Sequence, residues 1–304
     1  MKSPSGLQVV GLGESLFDLF EDQTILGGAP LNVALCANQC LASSGGCGVV
    51  ASRVGRDPLG RRLIRELTER SHETCYVQID DDRPTGKVLI EIRDGQPNYD
   101  ILRPAAWDAL QFDRRYDALA AACDAVCFGT LAQRSAVSRE AIDRFLTSAQ
   151  GALKLFDVNL RQDYYSRSMI EHNLNRATAL KLNMEELETL TCLLDFESTD
   201  PRIICPQLLQ THRLRFVALT QGAKGMQLYL PSGFHTSEPA CYPSEPGADA
   251  VGAGDAASAG LIIGFLRKWD PNQILYAASH LGAYVASVPG ATPLLPDSIL
   301  ELFA

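Results

Sequence analysis

Between Asp249 and Gly264 the chain reads DAVGAGDAASAGLIIG: a carboxylate, a glycine turn, a second carboxylate, then a run of small apolar residues with helical character. Gly252 and Gly254 remove side chains where the backbone must come close to a ligand, and they permit positive φ. Asp255 falls at the predicted helix start, where an acidic side chain suits both capping and the positive end of the dipole. The N–H groups of residues 252 to 255, Ala253 included, would then point outward and bind an anion such as a phosphate. A carboxylate beside such a cradle has a chemical use, taking a proton from a hydroxyl that attacks phosphorus. The plainer reading is a capped, alanine-rich buried helix after a glycine turn, and the rest of the chain must decide between them.

Other polar residues collect where predicted strands end. Asp157, Asn159 and Arg161 follow one strand, Asn183 and Glu186 the next, and Thr220 and Gly222 a third. In open parallel sheets ligands bind beyond the carboxyl ends of the strands. Any one of these residues is an ordinary strand-end polar group; together they make a pure packing explanation hard to hold. Near the start, Gly27-Gly28-Ala29-Pro30-Leu31-Asn32 leads into an alanine-rich helical stretch, with Asn32 offering both a donor and an acceptor. Asp18 is a lone acid in an apolar segment that alternates like a strand.

Several chemistries are excluded. Gly11-Leu12-Gly13 lacks the third glycine of a dinucleotide fingerprint, since position 16 is Leu. Gly86-Lys87 is followed by Val and lacks the upstream glycine of a P-loop, and neither H-E-x-x-H nor G-x-S-x-G occurs. Nine cysteines are scattered without a C-x-x-C pair, as small core thiols of a reducing compartment would be. A net charge of −9 argues against a nucleic-acid footprint. No apolar run reaches the roughly 18 residues of a membrane span, and the start lacks a signal-peptide core, so a cytoplasmic location is expected.

The elements that must position these residues alternate regularly. Apolar runs at 7–12, 48–52, 125–129, 153–159, 179–183 and 215–222 read as strands, with helices after most of them, the last two following Gly254 and Pro271. Such alternation predicts an α/β fold with a mainly parallel central sheet covered on both faces. Residues 75–103 differ: CYVQI, KVLIEIR and NYDIL read as strands of an antiparallel insertion, separated by DDDRP and DGQP turns. One domain over 1–304 with a small β appendage is expected, its segments at about 14–30 and 73–105.

Two separated motifs, GGAPLNVA (27–34) and DAVGAGDAASAGL (249–261), resemble the two signatures of the PfkB, or ribokinase-like, sugar kinases. VGRDPLG, RPAAW, FDVNLR, KLNMEE and LTQGAKG between them look similar too, and the resemblance spans most of the chain. It implies a ribokinase-like fold with a β-sheet lid. It implies Asp255 as catalytic base, with Gly252, Ala253 and Gly254 as the anion hole. Asp18, Gly28 and Asn32 match positions that hold sugar hydroxyls, with Arg103 and Asp157 as further contacts near substrate or phosphates. Thr220, Gly222 and Gly225 match nucleotide-loop positions, with Asn183, Asp249 and the segment around His280 also on the nucleotide side. Asn183 and Glu186 resemble the N-x-x-E motif that organises magnesium, commonly through water. ATP and Mg²⁺ are the implied cofactors, K⁺ a further implied ligand, and a homodimer through the lid an expectation. Ala250, Ala257 and Gln221 depart from the family's usual residues without removing a group that performs chemistry.

On this reading Asp255 should have a low pKa from the helix N-terminus, stay ionised, and take the proton late in phosphoryl transfer. The opening GLGESLFD, with Glu14 and Asp18, resembles the fructokinase-like members, which points to a free ketohexose, fructose first. Ribose, 2-keto-3-deoxygluconate, a nucleoside, and a catalytically retired sugar- or nucleotide-binding regulator remain the alternatives.

Overall fold

The computed structural model describes residues 6–21, 23–93 and 96–304, the side chains of residues 91–98 apart. Thirteen strands are found among these residues: β1 (Gln8–Leu12), β2 (Leu16–Leu19), β3 (Thr24–Gly27), β4 (Cys47–Gly55), β5 (Val77–Asp80), β6 (Gly86–Arg93), β7 (Gln96–Ile101), β8 (Ala125–Phe128), β9 (Leu153–Asp157), β10 (Ala179–Asn183), β11 (Val217–Thr220), β12 (Met226–Leu230) and β13 (Gly233–Thr236). Nine form one sheet in the order β13-β12-β11-β10-β9-β8-β1-β4-β5. Only β12 and β13 run antiparallel to their neighbours in it. The order reverses beside β1: the chain first moves outward through β4 and β5, then returns to β8 on the other side. That reversal opens a crevice at the carboxyl ends of the strands, where α/β folds bind ligands.

The strand residues divide by the period of two between the two faces. Val10, Val126, Phe128, Leu180 and Val217 join a core with the helices Ala136–Ser148 and Pro201–Thr211. Val9, Ala125, Cys127, Ala179 and Phe216 face the other way, against the helices Ala29–Leu41, Ala253–Leu266 and Pro271–Val285. A sheet buried on both faces explains why its strands read as unbroken apolar runs. All nine cysteines are free thiols, five of them buried, and no described helix is long and apolar enough to cross a membrane.

The remaining four strands form a small separate sheet, β3-β2-β6-β7. It differs from the expected insertion in two ways. The segment CYVQI is not part of it, because β5 pairs in parallel with β4 at the edge of the large sheet. Nor is it wholly antiparallel, since β2 and β6 run parallel (Leu16 opposite Gly86). The DGQP turn includes Asp94 and Gly95, which lie outside the described residues. Sequence reading also passed over the helix Pro201–Thr211, which has Pro206 inside it, and the short exposed strand β13.

Candidate active site

Gly252 is the N-cap of the helix Ala253–Leu266, with φ +79. A Cβ there would lie 2.2 Å from the Ala291 carbonyl oxygen, so geometry and space both require glycine. Among the described residues the N–H groups of Gly252, Gly254 and Asp255 find no backbone acceptor, whereas that of Ala253 makes a 3.3 Å turn bond to Ala250 O. The expected cradle is present in three of its four donors; Ala253 is the exception.

The Asp255 side chain does not cap the helix. Its Oδ2 instead accepts a 2.8 Å hydrogen bond from Nδ2 of Asn32. Asn32 is held in the first turn of the helix Ala29–Leu41, whose N-cap Gly28 has φ +117. A Cβ at Gly28 would meet the Glu14 carbonyl at 2.5 Å, so the glycine lets this helix start seat directly on the end of β1. The expected low pKa of Asp255 is corrected by the structure: burial, then the nearby Asp157 charge, push it up to about 7. The Asn32 hydrogen bond and the charges of Lys181 and Arg161 oppose this without overcoming it. Partial withdrawal of the carboxylate into the wall of the crevice outweighs a helix N-terminus whose N–H groups do not reach that carboxylate.

Beneath the turn lies a residue given no role in the sequence reading. Lys181, from the middle of β10, is 6% exposed, and its Nζ lies 3.0 and 3.2 Å from the two oxygens of Asp157. The two residues are register partners on adjacent parallel strands. Burial works against the ammonium charge, but Asp157, Glu186 and Asp255 hold it protonated above the usual lysine range. A Cβ on Gly254 would stand 3.1 Å from that Nζ, so the absence of a side chain lets the ammonium reach the cradle. Asp157, expected near substrate, is 2% exposed and fully engaged, since Ser258 Oγ also donates to it at 2.9 Å. A lysine between Leu180 and Leu182 in a buried strand was the available signal.

These groups line one cavity of about 1530 Å³. Asp18, Gly28, Asn32, Gly252, Ala253, Gly254 and Asp255 border it together with Val88, Ile90 and Ile101 of the small sheet. Asn183, Glu186, Thr220, Gly222, Gly225 and Asp249 border the same cavity, with Asp249 near enough to Asp18 for its charge to act there. Three expected residues do not line it. Arg103 is exposed, with its guanidinium 4.1 Å from the Tyr164 ring centroid. Asp157 lies below Lys181. His280 stands behind the lining residue Tyr242, whose hydroxyl is 2.7 Å from its Nδ1. At the small-sheet end burial also raises Asp18 to about 6 and Glu14, 2% exposed and lining the cavity, to about 7.

Asn183 and Glu186 form a reciprocal capping box for the helix Met184–Leu193. Glu186 N–H donates to Asn183 Oδ1, and Asn183 N–H to Glu186 Oε2, both at 2.8 Å. Glu186 Oε1 accepts from Leu160 N at 3.2 Å, and burial raises the pKa of this carboxylate. No cluster of three or more metal-type side chains occurs among the described residues. One fixed carboxylate fits Mg²⁺, which keeps several waters and takes the rest of its shell from phosphates.

A cradle of free N–H groups, a buried cation and a near-neutral carboxylate in one crevice suit phosphoryl transfer to a hydroxyl. Residues 13–298 match the sequence profile of the pfkB family carbohydrate kinases, and the chain belongs to that family. A fructokinase of Klebsiella pneumoniae is 28% identical over 308 residues, covering 94% of this chain and 95% of its own. That of Escherichia coli is 26% identical over 313 residues, covering 94% and 95%. The structure of a Xylella fastidiosa fructokinase with bound ATP aligns at a TM-score of 0.82 and 22% identity, covering 97% of each chain. A Vibrio cholerae fructokinase double mutant holding fructose, ADP and potassium aligns at 0.77 and 23%, covering 99% of each. At these identities the structural matches establish the fold.

Proposed function

We propose that this carbohydrate kinase transfers the γ-phosphate of ATP to a primary hydroxyl of a free sugar, fructose first. The observation that carries the reading is Asp255: a carboxylate raised to about 7, oriented by Asn32, beside three free N–H groups. A base whose pKa lies near the working pH balances being ionised against being able to hold a proton. Asp255 takes the proton of the attacking hydroxyl; the N–H groups of Gly252, Gly254 and Asp255 stabilise charge on the transferring phosphoryl oxygens. Lys181, against Gly254, adds a fixed positive charge beneath them. Glu186 and Asn183 would hold Mg²⁺, which would supply further charge neutralisation when bound.

Asp18, Gly28 and Asn32 hold the sugar hydroxyls. Thr220, Gly222, Gly225 and Asp249 face the nucleotide, and Tyr242, backed by His280, closes that side. The small sheet serves as a lid that excludes water from the phosphoryl group. A neutral acceptor is favoured over a phosphorylated one because the acids Glu14, Asp18 and Asp255 outnumber and surround Arg161, the arginine lining the same cavity, while Arg103 stacks on Tyr164 outside the lining.

The test is Mg²⁺-dependent ADP production from ATP across free sugars, phosphorylated sugars and nucleosides, with Asp255→Asn alongside. Turnover on fructose that is lost in the variant supports kinase, acceptor and base together. Turnover on another acceptor keeps the mechanism and moves the specificity. ATP binding with no turnover on any acceptor overturns the proposal in favour of a regulator.

A further inference from the structure

The small sheet hangs from four legs, two of which run beside one buried arginine that no motif marks. The first leg is Glu14-Ser15, between β1 and β2; the second is Leu102-Arg103, after β7. Arg134 comes from a short turn at the ligand edge of β8, and its side chain is 3% exposed. Its Nε and Nη2 donate to the two oxygens of Asp108 at 2.8 and 2.9 Å, and Nη2 also donates to Leu102 O at 3.0 Å. The guanidinium lies 3.9 Å from the Trp107 ring centroid and 5.0 Å from that of Tyr164. The second leg is thereby fastened to the large sheet.

The first leg is not fastened in the same way. Among the described residues Arg134 Nη1 is buried without an acceptor, and Glu14 Oε2 is buried without a donor. The first leg packs against the turn that carries Arg134, since a Cβ at Gly13 would lie 3.3 Å from the Ala132 Cβ, and the Glu14 carboxyl feels the charges of Arg161, Asp157 and, least, Arg134. Ser15 Oγ and Trp107 Nε1 are unpartnered in the same hinge. The two residues approach each other across Gly86, where a Cβ would lie 2.3 Å from Trp107 Nε1 and 3.0 Å from the backbone carbonyl oxygen of Ser15. Buried polar groups are seldom left unpaired, and complementary orphans at one hinge point to an arrangement in which they pair.

We propose that Arg134 and Glu14 are a positioning pair for the acceptor sugar, whose Nη1 and Oε2 hydrogen-bond, directly or through one water, as the small sheet closes. Arg134 already grips Leu102, so this bond joins two of the four legs to one planar group and restrains the angle of the sheet over Asp18 and Asp255. The pair touches neither nucleotide nor reacting atoms. Its effect falls on acceptor binding and on exclusion of water. The inference rests on the kinase reading of the cavity and deepens it.

The test uses the full chain with fructose and the non-hydrolysable analogue adenylyl imidodiphosphate. Trp107 and Trp269 are its two tryptophans, so Trp269→Phe leaves Trp107 as a reporter inside the hinge. Trp107 emission changes when both ligands bind, and Glu14→Gln or Arg134→Lys removes most of that change. In turnover each single variant raises the fructose KM about tenfold with the ATP KM within about twofold, and the double is no worse than the worse single. More ADP is released per sugar phosphate formed. Glu14→Gln preserves shape and carries the test alone if the arginine variant does not fold. The pair is overturned by a double variant whose losses multiply, by both KM values rising alike, or by an unmoved Trp107 in an enzyme that turns over fructose. A wild type inactive on every acceptor sinks the kinase reading, and the pair with it.

Discussion

Asp57 and Asp255 both stand at helix N-termini and end in opposite electrostatic states. Asp57 caps the helix Pro58–Glu69 and accepts from Gly60 N at 2.8 Å, Thr85 N at 2.7 Å and Thr85 Oγ1 at 2.8 Å. Burial would raise its pKa, but these donors reverse the sign and hold it below the ordinary value. Asp255 sits three residues beyond the N-cap of its helix, with Asn32 as its one side-chain partner among the described residues, and burial prevails. The number of donors aimed at the carboxylate decides the outcome, more than proximity to a helix end. Asp57 is spent on tying the large sheet to the start of β6; Asp255 is left able to take a proton.

The largest expected effect is kinetic. Asp255→Asn lowers kcat about 10²–10⁴-fold with ATP binding retained, whereas Asp57→Ala leaves turnover close to wild type. Equal damage from both would erase the distinction. Next comes Lys181→Met, which strands the buried Asp157 charge and costs about 3–5 kcal/mol of stability in denaturant titration. Its surviving activity should rise with pH along a limb above 7, since loss of the cation raises Asp255 further; an unmoved limb would remove Lys181 from the site's electrostatics. Asp57→Ala costs about 0.5–2 kcal/mol of stability, as a lost N-cap does.

The smallest effect sharpens the comparison through its sign. Asp57, with a lowered folded pKa, contributes stability that is present above the unfolded value near 4 and lost as pH falls through the folded pKa. Asp255, with a raised folded pKa, contributes stability that is present below about 4 and lost as pH rises through about 7. Asp255→Asn should therefore stabilise the ligand-free protein at pH 8 by about 0.5–2 kcal/mol, with little change at pH 4. A thermal melt showing no gain at pH 8 would mean that the carboxylate is better solvated than its surroundings imply.

Much of the candidate site's local geometry was legible because its signals are local. The Gly252-Ala253-Gly254-Asp255 turn, the Gly28 helix start and the Asn183–Glu186 capping box each arise from residues within one turn of each other. The β/α alternation was legible too, since both faces of the large sheet are buried and its strands read as apolar runs. The edges were less so. β5 carries the same alternating pattern as the small-sheet strands, and only its pairing with β4 assigns it to the large sheet. The helix Pro201–Thr211 was obscured by Pro206, which tertiary packing tolerates.

By itself the sequence determined which residues reach the carboxyl ends of the strands, because strand ends and helix starts follow from periodicity, caps and glycine turns. Tertiary structure alone decided what those residues are once there. Lys181 and Asp157 pair because β9 and β10 lie side by side in a set register. Asp255 is raised and Asp57 lowered because burial and donor count are sums over segments distant in the chain. Protonation depends on that three-dimensional surrounding, and no local stretch of sequence contains it.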